Sequence, residues 1–593
     1  MTAMSEKEES NSPASDSVRV MEEGTRTPTP PPGPLAAPTL GPPGAPNGPV
    51  LPRWRLISLS ISICFGLFLS LLDTTIVATA LFTIGEDLKT INSINWVALA
   101  YTLSYLGCAV LFARMADVTG RRNAYVAAFI IFFAFSLGCG FSQTLNQLIA
   151  CRVLQGIGGS GLYSLAFVII PEIAPQPKMQ QLAGAVIGAV VAMAGVLGPV
   201  VGGAITHGTT WRWIFWINAP IGIIPLIAFI IAWPKPHQIH HPERRPLKQL
   251  DFLGAGLVIA ASVLVVFSFQ EAGLRADVWN KAIFVAPLVV GVVLWFALFG
   301  WEVLAARKWE STLMTMFPLR LIKRRVFMGH FATTLLAGFP YFMVIYGLPL
   351  RIQVVNGRSQ LTAGVSLMPM LGSVAVASTI SGMVNSKKDF IFPTLFTGAI
   401  LMTIGSGALS SLENAVSLPA KMYGFEVFVG LGFGLMVSTV SMGASLECEL
   451  RDRTVAQGIV AQARVLGGSI GIAASTAILG ILQSSRLIKT HLVTSFQLET
   501  LQNSAREMSP AQLEAVRQTY SDSFSESMKV CAAISGACVL ATLLTFRKQK
   551  MDIMGRGNEQ FNDNMKYVAK QKREAALKAE AKQREAGQAA QKS

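Results

Sequence analysis

Two ionisable residues lie where ionisable residues are costly. Asp73 falls within the apolar stretch Leu56–Phe82, and Arg152 within Leu148–Pro171. A charged side chain inside a hydrocarbon layer is poorly solvated, so an intramembrane carboxylate or guanidinium is a functional candidate by default. Burial would favour the neutral acid and let Asp73 take up and release protons; the alternative is a polar residue near a mouth of the protein, hydrogen-bonded to Thr74 or a neighbouring helix. Arg152 needs an anion or carbonyl groups to remain where it is. At about 1.5 Å of rise per residue, both residues fall at similar depth in the outer half of their spans, so they either pair or act on a common acid. No Ser/His/Asp set, metal-ligand cluster or phosphate-binding loop accompanies them, which disfavours an enzyme and implies no cofactor and no metal.

The elements that position this pair are long apolar helices. The chain has 593 residues, of which 51% are hydrophobic and 14% charged, with a mean hydropathy of +0.48. A span of about 20 apolar residues crosses a bilayer core. Fourteen stretches meet that length, from Leu56–Phe82 to Met528–Phe546. The fold class is therefore all-α and polytopic, with the bilayer as a partner.

Lys and Arg concentrate in alternate connections, among them Arg114, Arg121 and Arg122, then Arg244 and Arg245, then Arg320, Lys323, Arg324 and Arg325. By the positive-inside rule this side is cytosolic, and so are both termini. The net charge of +15 belongs to this asymmetry and to the tail, and gives no argument for nucleic acid. Residues 1–52, rich in Pro and Ser, are expected to be a disordered cytosolic arm without a cleavable signal. Residues 547–593 read as a charged cytosolic tail, either solubilising or a docking site, and Gln483–Ser527 as the longest polar loop between spans. His237, His240 and His241 read as solvated loop residues, and the seven cysteines form no spaced disulfide framework.

Five stretches carry a family resemblance. The turn "ARMADVTGRR", residues 113–122, resembles the signature loop of the major facilitator superfamily at Asp117, Gly120, Arg121 and Arg122, while Ala113 and Val118 depart from the usual Gly and basic residue. "LLDTTIVATAL" (71–81), "RVLQGIGG" (152–159), "GVLGPVVGGAIT" (195–206) and "WRWIFWINAPIG" (211–222) resemble elements of spans 1, 4, 5 and 6 in its fourteen-span drug:proton antiporters. Fungal multidrug and toxin efflux pumps are the most similar branch. The resemblance implies two six-helix bundles, residues 53–233 and 326–546, with a two-helix insert at 234–325, working by alternating access.

The same resemblance implies roles. Arg152 is linked to proton coupling, with Asp73 as its partner acid. Asp117, Gly120, Arg121 and Arg122 form an inner gate, Asp117 meeting a helix N-terminus and an Arg of a neighbouring span; the plainer alternative is that the arginines only fix topology. Gly198, Pro199, Gly202 and Gly203 form the antiporter motif, a seal between bundles or simply small-residue packing, and "RVLGGSIGIA" (464–473) repeats the stripe on span 13. Apart from the resemblance, Asn218, Tyr346 and Gln462, polar or aromatic residues on inner spans, are candidates for the substrate cavity, and Arg464 is a deeply placed cation with either a substrate-facing role or a structural pairing. Few intramembrane acids are present to hold a cation, which leans toward neutral, amphipathic cargo. The function implied is export of a drug, toxin or secondary metabolite in exchange for protons, at the plasma membrane or a vacuolar or vesicle membrane. Uptake or vacuolar transport of basic amino acids or iron chelates is the alternative, and a non-transporting sensor a further one.

Overall fold

In lipid, every backbone donor and acceptor must be satisfied within the chain, and long helices achieve this. The computed structural model describes residues 52–88, 95–173, 177–234, 246–274, 278–309, 313–385, 388–449, 452–488 and 508–553, together with 493, 555, 556, 559, 560, 563 and 566. The amino-terminal arm to residue 51, the three loop histidines, Arg244, Arg245 and the tail from 567 lie outside these residues. The first six long helices are α1 (Arg53–Asp87), α2 (Asn95–Thr119), α3 (Arg121–Phe141), α4 (Leu145–Ile173), α5 (Pro177–Gly208) and α6 (Asn218–Ala232), the last preceded by the single turn Trp213–Trp216. Then come α7 (Phe252–Leu274) and α8 (Ala282–Lys308). The final six are α9 (Arg325–Val354), α10 (Met368–Asn385), α11 (Ile391–Leu409), α12 (Lys421–Glu447), α13 (Arg453–Gln483) and α14 (Pro510–Thr542). Among the described residues, thirteen helices are long and apolar enough to cross a membrane, and α5 contains the shorter apolar run Met193–Thr206. No strand is present among those residues, only an isolated bridge between Leu250 and Met314.

Packing sorts these helices into two six-helix bundles. In the first, α1 packs on α5, α6 and α4, and α4 on α2 and α3; in the second, α9 packs on α13 and α14, and α12 on α10 and α11. The inserted α7 lies against both α2 and α13, with Ile259 facing Gly107 and Ser262 Oγ accepting from Gln462 Nε2 at 3.1 Å. It therefore occupies the seam between the bundles. Its partner α8 packs on α7 and leaves Val289, Val293 and Phe296 exposed on the outside, as a lipid-facing helix requires.

Three local features are set by particular residues, and the second departs from the sequence-based expectation. The reversal between α2 and α3 is a single residue, Gly120, at φ 89°, a conformation only glycine adopts without strain. The last helix begins at Pro510 instead of Met528, because Ser509 and Gln512 form a reciprocal capping box with Pro510 as the first helical residue. The polar loop before it is correspondingly shorter. The first part of the tail docks: Gln560 Nε2 donates to the Cys448 carbonyl at 2.7 Å, Arg547 pairs with Glu447, and the Met551 amide donates to Asp389 at 3.0 Å.

Candidate functional site

The sequence "LLDTT" puts Asp73 on the inward face of α1, where its side chain has no solvent exposure. Five helical segments converge on it. Arg152 of α4 donates from Nη1 to Asp73 Oδ2. Gln155, one turn further along α4, donates from Nε2 to Oδ1 at 2.9 Å and accepts from Arg152 Nη1 at 2.9 Å. Asn218, the first residue of α6, donates to Oδ1 at 3.3 Å and to Ser136 Oγ of α3 at 3.0 Å. Arg152 Nε donates to the Val97 carbonyl of α2 at 3.1 Å. Both carboxylate oxygens and much of the guanidinium are thereby satisfied, the condition under which a buried ion pair survives desolvation.

A cavity of about 240 Å³ adjoins this network, walled by both bundles. The first contributes Tyr101 and Tyr105 of α2 and Tyr163 of α4; the second contributes Tyr341 of α9, Phe433 of α12 and Arg464 of α13. The Tyr341 and Phe433 rings stack with centroids 3.6 Å apart and planes 3° from parallel. Tyr101 belongs to both regions. It lines the cavity, lies on the Arg152 guanidinium, and donates through Oη to the Ser70 carbonyl at 2.7 Å.

At the end of the molecule carrying the α2–α3 turn, Asp117 Oδ1 accepts from Arg121 at 2.7 Å, and Arg114 lies 3.7 Å from Oδ2. Arg121 then crosses to the second bundle, donating to Thr454 Oγ1 near the start of α13 at 2.6 Å. Among the described residues, the ion-pair partners of Asp117 are Arg114 of its own helix and Arg121, the first residue of α3, and Arg121 also makes the cross-bundle contact. Arg122 is exposed.

The stripe of small residues on α5 serves close approach at one point. A Cβ at Gly198 would sit 2.7 Å from Thr75 Cβ and 3.1 Å from the Ile76 amide nitrogen, and Thr75 Oγ1 donates to the Ala194 carbonyl at 3.2 Å. Gly195 faces open space; Gly202 is buried and Gly203 partly so. The counterpart contact in the second bundle is α9 against α13, where Gly467 and Gly471 meet the carbonyls of Leu335 and Phe339.

Of the residues expected at the cavity, Tyr346 and Arg464 line it. Asn218 and Gln462 do not: the first is drawn into the Asp73 network and the second faces α7. Gln155, Tyr101 and Ser136 were not singled out from sequence. Gln155 carried a signal, since it stands three residues after Arg152 and therefore on the same helix face. Another buried carboxylate, Glu426 of α12, also carried no mark in the sequence, and neither of its oxygens has a hydrogen-bond partner among the described residues.

Residues 63–472 match the family model of the Major Facilitator Superfamily. The MFS-type transporter FPY5 of Fusarium mangiferae is 34% identical over 509 residues, 84% of each chain. The chain belongs to the major facilitator superfamily. Two further relatives of this transporter are the efflux pump roqT of Penicillium rubens, 28% identical over 86% of this chain and 94% of that one, and the rubrofusarin-specific efflux pump aurT of Gibberella zeae, 28% identical over 73% and 78%. Among solved structures, the human organic anion transporter MFSD10 superposes with a TM-score of 0.52 at 13% identity, over 82% of this chain and all of that one. A bacterial homologue of the human lysosomal transporter Spinster, inward-facing and unoccupied, gives 0.51 at 14%, over 84% and 99%. Both share the fold. The protein is thus a multi-pass membrane transporter of small molecules and not an enzyme.

Proposed function

We propose that this transporter exports small organic molecules in exchange for protons by alternating access, with residues 53–233 and 326–546 as the two rocking halves and 234–325 as an insert. Asp73 is the proton carrier, Arg152 tunes it, and the tyrosine-walled cavity holds the cargo. One observation carries the reading: Tyr101 is wall to the cavity and cover to Arg152 at once, so cargo and proton sites touch through one ring. The names of the fungal relatives as efflux pumps favour the outward direction and a secondary metabolite, drug or toxin as cargo. Asp117, Arg121 and Thr454 close the cytosolic gate between the halves, and Gly198 with its neighbours seals α5 against α1. The Lys and Arg distribution favours cytosolic termini, and the plasma membrane is the proposed site, with a vacuolar or vesicle membrane as the alternative.

The test is a cargo screen in a pump-deficient yeast strain at two external pH values, followed by transport of each hit in reconstituted vesicles. Accumulation driven by an imposed pH gradient is the expected result. Transport that ignores the gradient removes the proton coupling, and transport only toward the cytosol reverses the direction. A glycosylation site placed after Arg244 stays unmodified in this orientation and one after Arg486 is modified.

A further inference from the structure

Among the residues walling the cavity, Arg464 is the one charged side chain. It is only 4% exposed, and among the described residues its Nε and Nη2 have no hydrogen-bond partner and it forms no ion pair. The other buried arginines differ: Arg152 has Asp73, Gln155 and the Val97 carbonyl, Arg121 has Asp117 and Thr454, Arg114 has the Thr315 carbonyl and Asp117, and Arg351 has the Glu413 carbonyl and Asn356. A guanidinium does not discharge itself by losing a proton, so an unpaired one in an apolar wall is a standing electrostatic deficit. The centroid of the Phe167 ring lies 5.3 Å from the guanidinium carbon.

The surroundings hold Arg464 in place. A Cβ at Gly338 of α9 would run into the Arg464 carbonyl, and Gly467 and Gly471 keep α13 in similar contact with α9. In the same cavity wall, the buried hydroxyls of Tyr105 and Tyr341 have no hydrogen-bond partner among the described residues, and the Tyr341–Phe433 stack presents flat aromatic surface. A guanidinium fork offers paired donors matched to an oxyanion, and two unsatisfied phenols suit further oxygen atoms. The scarcity of acids that argued against cationic cargo says nothing against an anion.

We infer that the cavity selects planar aromatic organic acids, with the carboxylate or other oxyanion seated on Arg464 and the ring system lying among Tyr105, Phe167 and Tyr341. This rests on the reading of the cavity as the cargo site. The anion supplies the partner that Arg464 lacks in the chain, so charge, not shape alone, sets the preference.

The experiment compares 2-naphthoate with its uncharged isostere 2-naphthamide, titrated near neutral pH against the purified full-length protein in detergent and followed by intrinsic fluorescence. Wild type is expected to bind the carboxylate about tenfold or more tightly than the amide, the scale of one charge-assisted hydrogen-bond pair. R464Q and the apolar near-isostere R464M, each checked for a cooperative melt, are expected to lose that margin for 2-naphthoate while holding the amide within about twofold. Equal binding of both probes by wild type, binding of neither, or a margin that survives in a folded Arg464 variant overturns the inference. The wild-type comparison decides even where a variant does not fold. No gradient enters the measurement, so a failure of proton-driven export leaves this result standing, and a failure here leaves export standing.

Discussion

The Tyr101 ring lies face-on to Arg152, with the guanidinium carbon 4.1 Å from the ring centroid, and the same ring forms part of the cavity wall. A cation packed under an aromatic face is held by the ring quadrupole, most strongly where water is excluded. Any cargo that moves Tyr101 therefore alters the setting of Arg152, and through it the carboxylate at Asp73. Under the proposed mechanism this contact would link cargo binding to proton release without direct contact between the two ligands.

Asp73→Asn and Arg152→Ala should both abolish uphill export. In the first, the site loses the carboxylate proposed to carry the proton. In the second, that carboxylate loses the guanidinium that donates to its Oδ2, the contact through which Arg152 is proposed to tune it. Cargo accumulation under an imposed pH gradient measures this, and counterflow without a gradient, which should be partly retained, reports that the protein is folded. Gradient-driven accumulation at wild-type rates in both variants would remove proton coupling from these residues.

Asp117→Asn tests the charged turn. The substitution takes the Asp117 carboxylate away from buried Arg121 and puts a neutral amide in its place, and breaking a buried pair costs about 3–5 kcal/mol where it is fully desolvated. The Arg121–Thr454 contact between bundles should weaken with it. Export is expected to fall at least tenfold while abundance at the membrane stays near wild type, and Thr454→Val should reproduce a milder form. Full activity in Asp117→Asn would leave the arginines as topology signals alone.

The all-α polytopic fold was legible because fourteen apolar stretches and alternating basic loops are dictated by the bilayer itself. The pairing of Asp73 with Arg152 was legible as one of two options, from depth along two helices. The rest of the network was not. Asn218 was recognisable as a polar residue in a span, but only the break between Trp216 and Asn218 turns it toward Ser136 and Asp73. Gln462 faces α7 because the inserted pair fills the α2–α13 seam, a placement that helical periodicity does not encode. Position 510 shows the reverse: the capping signal Ser-Pro-Ala-Gln stood in the sequence and was outweighed by the polarity of the residues that follow.

Gly198 and Gly195 separate two uses of the same stripe. Gly198→Ala forces a Cβ against Thr75 and the backbone of Ile76, whereas Gly195→Ala meets nothing within 4 Å. The first is expected to cost about 1–3 kcal/mol through overpacking, and the second to be near neutral or slightly stabilising. Thermal unfolding of the purified variants measures this. Adding Thr75→Ala to Gly198→Ala should recover part of the loss. Equal effects at the two glycines would mean that α1 and α5 do not approach each other as described.

Asp87, at the end of α1 and beyond its membrane-crossing portion, offers a pH test. Its Oδ2 accepts from Trp211 Nε1 and from Arg212 Nη1, each at 2.9 Å, and these bonds, Trp211 first, hold the carboxyl below its usual value of 3.8. Arg212 also lies over the Trp211 ring at 4.4 Å and donates to the Ser142 carbonyl at 3.4 Å, so one carboxylate ties together the ends of α1 and α3 and the approach to α6. A folded value below the unfolded one means that the charged form is favoured by folding. The stabilisation is complete above the unfolded value and is lost as pH falls through the folded one. Because the pair is half-exposed, its size is about 1 kcal/mol or less. Asp87→Asn should therefore melt below wild type at neutral pH, and the gap between the two melting temperatures should close as the pH is lowered through the acid range below about 4. A gap that stays constant down to the lowest pH at which both proteins still unfold cooperatively would show that Trp211 and Arg212 do not respond to the charge on Asp87.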